Sequence, residues 1–196
     1  MNTHSRLRTA RDTSFAIGAL LAVSVAAPQV YAGGYGGPYG FGAVATEAEI
    51  AAIDIDATPD GSGLPPGEGK YEQGKEVYMQ KCAACHGQLM EGIKATGGAA
   101  LIGGRGSIGT DEPKKTVESY WPYATTLFDF TKRAMPFNTP GSLSDEEVYS
   151  VTAYILAEGK IIDKDAVMNA RTLPQVQMPN RDGFVSDPRP DIFNYD

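Results

Sequence analysis

The 196-residue sequence predicts an all-α fold: one small helical domain over about residues 70–160, held between two long irregular extensions. Three observations lead to this. Residues 143–159 carry a complete helix-start signal, two further stretches keep apolar residues at helical spacing, and Gly and Pro gather largely in the flanks and loops.

The clearest element is the last. Ser144 followed three residues later by Glu147 is a capping box, in which each side chain satisfies a backbone N–H that the first helical turn leaves free. Leu143 and Val148 are placed as a hydrophobic staple, Val148, Val151, Thr152, Ile155 and Leu156 form one apolar face, and Gly159 stands where a helix ends. A second helix is expected from about Lys70 to Cys85, on Tyr71, Gly74, Val77, Tyr78 and Cys82. Glycine inside a helix costs roughly 1 kcal/mol relative to alanine, so Gly74 predicts close approach by another element. A third starts at Pro122, continues through Tyr123, Leu127, Phe130 and Ala134, and is stopped by Pro136. Residues 92–109 are Gly-rich and expected to be loop. Residues 33–69 form a Gly/Pro-rich extension with a short helical turn expected at 46–50, and 161–196 form an extended tail.

Composition narrows the function. With 17 basic against 24 acidic residues, net charge −7, the chain lacks the basic footprint that nucleic acid requires. Residues 1–32 read as a Sec-type export signal. Arg6, Arg8 and Arg11 precede an apolar run from Phe15 to Ala27, too short to span a bilayer, and Val30-Tyr31-Ala32 fits a cleavage site. The expected location is the periplasm, with no membrane segment after cleavage. His4 leaves with the signal, so one histidine, His86, remains.

Cys82-Ala83-Ala84-Cys85-His86 is C-x-x-C-H, the attachment signature for haem c. Two thiols one helical turn apart reach the two vinyl groups, and the adjacent histidine sits under the iron as an axial ligand. A zinc site needs four ligands, and two Cys with one His fall short. A redox thiol pair needs a βαβ setting, which is not visible here. One covalently attached haem is therefore expected. With no second histidine, methionine is the expected sixth ligand, from Met79, Met90, Met135, Met168 and Met178. Met135, followed by Pro136 and placed at the end of the helix that starts at Pro122, just before the capped one, is the preferred ligand; Met178 is next, and Met79 is read as core filler. Arg105, Trp121 and Tyr123 are candidates to hydrogen-bond the haem propionates, each with a plainer alternative as solvated or core residue.

These residues resemble the monohaem class I cytochromes c over about 70–159. Gly74 and Tyr78 precede Cys82 at that family's spacing, Met135-Pro136 matches its ligand loop, and Val148 to Leu156 with Tyr154 matches its C-terminal helix. The resemblance implies a class I cytochrome c fold in which Gly74 packs on the aromatic where first and last helices cross. The family usually has a proline whose carbonyl accepts the histidine N–H; here the stretch is Gly98-Ala99-Ala100-Leu101-Ile102-Gly103.

A narrower resemblance spans most of the chain after residue 46. GLPPGEG, the stretch SYWPYATTLFDFTKRAMPFNTPGSLSDEEVYSVTAYIL and the tail TLPQVQMPNRDGFVSDPRPD are similar to the SoxD-like cytochrome subunit of sulfane/sulfite dehydrogenases. It implies electron transfer, with a molybdenum-cofactor sulfur dehydrogenase subunit as donor and a downstream cytochrome or oxidase as acceptor. The single C-x-x-C-H implies a one-haem form. A free-standing electron shuttle, and a haem enzyme or sensor with an open iron position, remain as alternatives. The extensions are read as wrapping either a partner or the chain's own domain.

Overall fold

The computed structural model describes residues 42–185; the export signal expected at 1–32 and the last eleven residues lie outside this range. In chain order, α1 (Glu47–Ile53) opens on a Thr46/Glu49 capping box and buries none of its residues. A two-residue strand β1 (Glu68–Gly69) leads into α2 (Tyr71–Lys81) and α3 (Ala83–His86). A long loop with one 3₁₀ turn (Lys94–Thr96) follows, then α4 (Ala124–Ala134) and α5 (Asp145–Glu158). The chain ends with β2 (Met168–Asn169) and a 3₁₀ turn (Leu173–Gln175). β1 and β2 pair antiparallel, Glu68 opposite Asn169 and Gly69 opposite Met168, which ties the tail to the start of α2. The all-α class and the three expected helices are present.

α5 is the centre of the fold. Its Ser144/Glu147 capping box forms as expected, and Leu143 and Val148 are both buried. The sequence marks one apolar face, but the structure buries every residue from Val148 to Ala157. The second face is covered by the extensions: the Tyr149 hydroxyl donates to the Pro65 carbonyl at 2.8 Å, and β1 and β2 lie against the helix. α2 crosses α5 at Gly74. A Cβ built there would stand 1.8 Å from the Ser150 carbonyl oxygen and 2.8 Å from Cβ of Tyr154, so only glycine permits this approach. Tyr154 then sits between Tyr71 and Tyr78 of α2, with ring centroids at 5.1 and 5.4 Å, distances at which tilted aromatic pairs attract.

Three expectations are corrected. The helix expected over 70–85 is interrupted at Cys82, which ends α2 and begins α3, so that the motif forms its own turn. On α4 the inward residues are Ala124, Thr125, Leu127, Phe128 and Thr131; Phe130 is partly exposed and meets Trp121 edge-on at 5.8 Å. The ring that fills the α4–α5 interface is Phe128, 4.5 Å from Tyr149, because the α5 crossing selects the face one residue round from the one that the spacing indicated. Met79, read as core filler, lies partly exposed on α2.

From Ala57 onward, segments of both extensions pack on the chain's own domain. The Ala57 N–H donates to the Asp129 carboxylate on α4 at 3.0 Å. Leu173, Val176 and Met178 are buried. Near the tail's start, the Tyr71 hydroxyl donates to Glu158 at 2.6 Å while Lys164 reaches both, at 2.8 Å to the hydroxyl and 3.0 Å to the carboxylate. The Tyr71 hydroxyl, together with Lys164, holds the Glu158 carboxyl below its ordinary value. Gly74→Ala is expected to destabilise the protein by about 3 kcal/mol through overpacking, read as a lower denaturant midpoint at unchanged slope.

Candidate haem site

The C-x-x-C-H residues form one turn closed by short backbone bonds. The Cys85 and His86 N–H groups both donate to the Cys82 carbonyl, at 3.1 and 2.9 Å, and Gly87 N–H donates to Ala83 at 2.9 Å. Tyr78, fully buried one turn upstream, sends its hydroxyl to the Gly87 carbonyl at 2.7 Å and so fixes the far end of the turn to α2. Both cysteines are free thiols, Cys85 exposed and Cys82 partly buried. Burial, then the neighbouring Cys85, pushes the Cys82 thiol up to about 11.

The loop after the motif folds back on it. Gly92 N–H donates to the His86 carbonyl at 2.7 Å, Ile93 N–H to Cys85 at 3.1 Å and Leu101 N–H to Met90 at 2.9 Å. These bonds place the Ala99 carbonyl 2.7 Å from Nδ1 of His86. A carbonyl only accepts, so Nδ1 is the donor and Nε2 is the nitrogen left to ligate a metal, the arrangement a metal-binding imidazole needs. The acceptor that the missing proline left unassigned is therefore Ala99. Gly98 makes the approach possible: a Cβ there would lie 1.8 Å from the Cys85 carbonyl oxygen.

The other candidates fall in two places. Met135 caps the C-terminus of α4, partly buried, at the start of the loop to α5. A Lys132–Asp145 ion pair joins the last turn of α4 to the first of α5 and closes that loop at its base. Trp121 and Tyr123, both half-buried, precede α4, and Trp121 lies back along the helix against Phe130. Arg105 stands apart. Its Nε donates to Glu118 at 3.0 Å and Nη2 to the Gly159 carbonyl at 2.8 Å, while Glu118 also accepts from Gly103 N–H at 2.6 Å. Sequence reasoning missed Gly98, the Tyr78 hydroxyl contact and the Glu118 bridge. Gly98 carried a readable signal, a glycine in the segment that must approach the motif; Glu118 carried none.

The family model described as cytochrome c oxidase, cbb3-type, subunit III matches residues 69–155. The solved sulfane dehydrogenase SoxCD from Paracoccus pantotrophus superposes with a TM-score of 0.70 at 39% identity, over 76% of this chain and 73% of that one. The chain belongs to the SoxD-like class I cytochromes c. Two curated relatives are thiosulfate dehydrogenases. That of Stutzerimonas stutzeri is 32% identical over 47% of this chain and 29% of its own length. That of Psychrobacter arcticus is 29% identical over 52% of this chain and 31% of its own length. The SoxD-like cytochrome thus spans less than a third of the curated relatives it matches.

The residues present fit the haem c that a cytochrome c domain implies: two thiols and an imidazole on one turn, with the imidazole tautomer set by a carbonyl that the fold holds in place. In this SoxD-like cytochrome Gly98→Ala is expected to push the Ala99 carbonyl away from His86 and to cost about 1–3 kcal/mol of stability. It should also raise the reduction potential, because an imidazole with a weaker Nδ1–H acceptor is a poorer electron donor to iron. Redox titration of the haem-loaded protein checks the direction.

Proposed function

We propose that the chain is a periplasmic one-electron carrier with a single haem c, attached through Cys82 and Cys85 and ligated by His86 and Met135. It accepts electrons from a molybdenum-cofactor dehydrogenase acting on an inorganic sulfur compound and passes them to a downstream cytochrome or oxidase. Haem supplies the reversible iron couple; the chain supplies attachment, axial ligands and a partly water-excluding shell. His86 is held as donor by Ala99. The choice of Met135 is supported by burial: Met90, Met168 and Met178 are 1%, 4% and 3% exposed, packed among core residues, and Met79 lies upstream on the helix of the cysteines. Met135 is partly accessible at the head of a loop closed by the Lys132–Asp145 pair. Trp121 and Tyr123 are proposed donors to the haem carboxylates. Arg105, a third proposed donor, is held in place through Nε to Glu118 and Nη2 to the Gly159 carbonyl, which leaves Nη1 free to donate.

The partner reading rests on one observation above the others. The likeness to the sulfane dehydrogenase structure covers 76% of the chain, well beyond residues 69–155, so it includes parts of the extensions as well as the haem domain. The curated thiosulfate dehydrogenases support an inorganic sulfur anion as the electron source.

Two outcomes are expected. Met135→Ala should abolish the ferric sulfur-to-iron charge-transfer band in the visible spectrum; its persistence would reassign the ligand. Mixing the oxidised protein with the molybdenum dehydrogenase and sulfite or thiosulfate should reduce the haem in step with substrate oxidation. Absence of reduction with every sulfur donor would leave a general electron shuttle.

A further inference from the structure

The tail does more than cover the core. Three side chains within five residues of it grip the segment that leads into α4. Asn180 Nδ2 donates to the Tyr120 carbonyl at 2.7 Å. The Arg181 guanidinium lies over the Tyr123 ring, 4.4 Å from its centroid. Phe184 meets the Tyr120 ring edge-on at 5.2 Å. Just upstream, Leu173, Val176 and Met178 are buried, and the 3₁₀ turn at Leu173–Gln175 packs on α4 itself. These contacts fall on one helix: its N-terminal approach is held by Asn180, Arg181 and Phe184, and its C-terminus carries Met135.

α4 is joined to α5 at the opposite end by the Lys132–Asp145 pair alone among the described ion pairs. No side-chain cap bond secures its start, since its N-cap residue is Tyr123. A helix start without a cap leaves backbone N–H groups unpaired and frays readily. The tail supplies the missing restraint from outside, by fixing the backbone of Tyr120 and the ring of Tyr123 itself.

We infer that residues 178–184 are a strap that holds α4 in the position where Met135 bonds iron, with Asn180 and Arg181 as positioning residues for the sixth ligand. The inference rests on Met135 being that ligand. Loosening the strap lets the helix shift as a rigid element, and the methionine sulfur leaves iron transiently more often. The strap thereby sets how closed the iron is, and so separates electron transfer from binding of small ligands.

Two disrupting variants and one restoring variant test this in the full, haem-loaded protein. Asn180→Asp keeps the shape but removes the N–H donor to Tyr120. Arg181→Leu removes the cation over Tyr123, and Arg181→Lys restores it. Each loss of contact is expected to raise the rate of CO binding to the ferrous protein about tenfold, the order set by one net hydrogen bond. The ferric charge-transfer band should weaken in parallel, and Arg181→Lys should return both readouts toward the unaltered protein. A purely structural tail would lower the unfolding midpoint without moving either readout, and that result overturns the strap. Absence of the charge-transfer band in the unaltered protein would instead overturn the Met135 reading and the strap with it. Presence of the band together with unchanged CO rates in both variants would overturn the strap alone.

Discussion

At Gly74 the backbones of α2 and α5 meet with no side chain between them. That contact is the constraint on which the rest of the structure depends. It sets how close the two helices lie and so lets Tyr154 enter between Tyr71 and Tyr78. Tyr78, thus packed, is fully buried and sends its hydroxyl to Gly87, which fixes the motif turn. Tyr71 on the same helix sends its hydroxyl to Glu158, where Lys164 of the tail joins it. One close approach therefore locates the cysteines at one end of α2 and the tail at the other. Van der Waals packing transmits such placement because interiors are dense and side chains have nowhere else to go.

The two halves of the site are held by different means. His86 is positioned by backbone: the loop at 92–101 is bonded to the motif turn through main-chain groups, and Ala99 offers its carbonyl to Nδ1. A backbone carbonyl does not depend on the side chain of its residue, so an alanine can present it, whereas Gly98 leaves no room for a Cβ against the Cys85 carbonyl. The helix that carries Met135, the proposed sixth ligand, is held by side chains instead: the Lys132–Asp145 pair at its last turn and the Asn180–Tyr120 contact ahead of its first. With Met135 as the proposed sixth ligand, a rigid imidazole and a more adjustable thioether would suit a centre whose potential the protein tunes through its axial ligands.

Much of this was legible in the residues. The capping box of α5, the close approach at Gly74 and the C-x-x-C-H turn follow from local chemistry that a few neighbouring residues complete among themselves. The misreadings share a cause. Phe130 and Phe128 are both apolar and both near helical spacing, and only the crossing angle with α5 decides which one faces it. Met79 and Met178 look alike as flexible apolar side chains, yet one is exposed and the other buried, because the tail covers α4 and leaves that side of α2 open. The Arg105 contact with Glu118, thirteen residues on, was equally invisible to local spacing.

The sequence by itself determined the helices, the attachment turn and the histidine, because caps, glycine and a thiol–thiol–imidazole spacing act over a few residues. Only the tertiary structure decided which carbonyl orients His86, which methionines are sealed in the core, where Arg105 spends its charge and what the tail restrains. Each of these is a contact between residues distant in sequence, and its partner is chosen by helix crossing and loop closure rather than by local propensity.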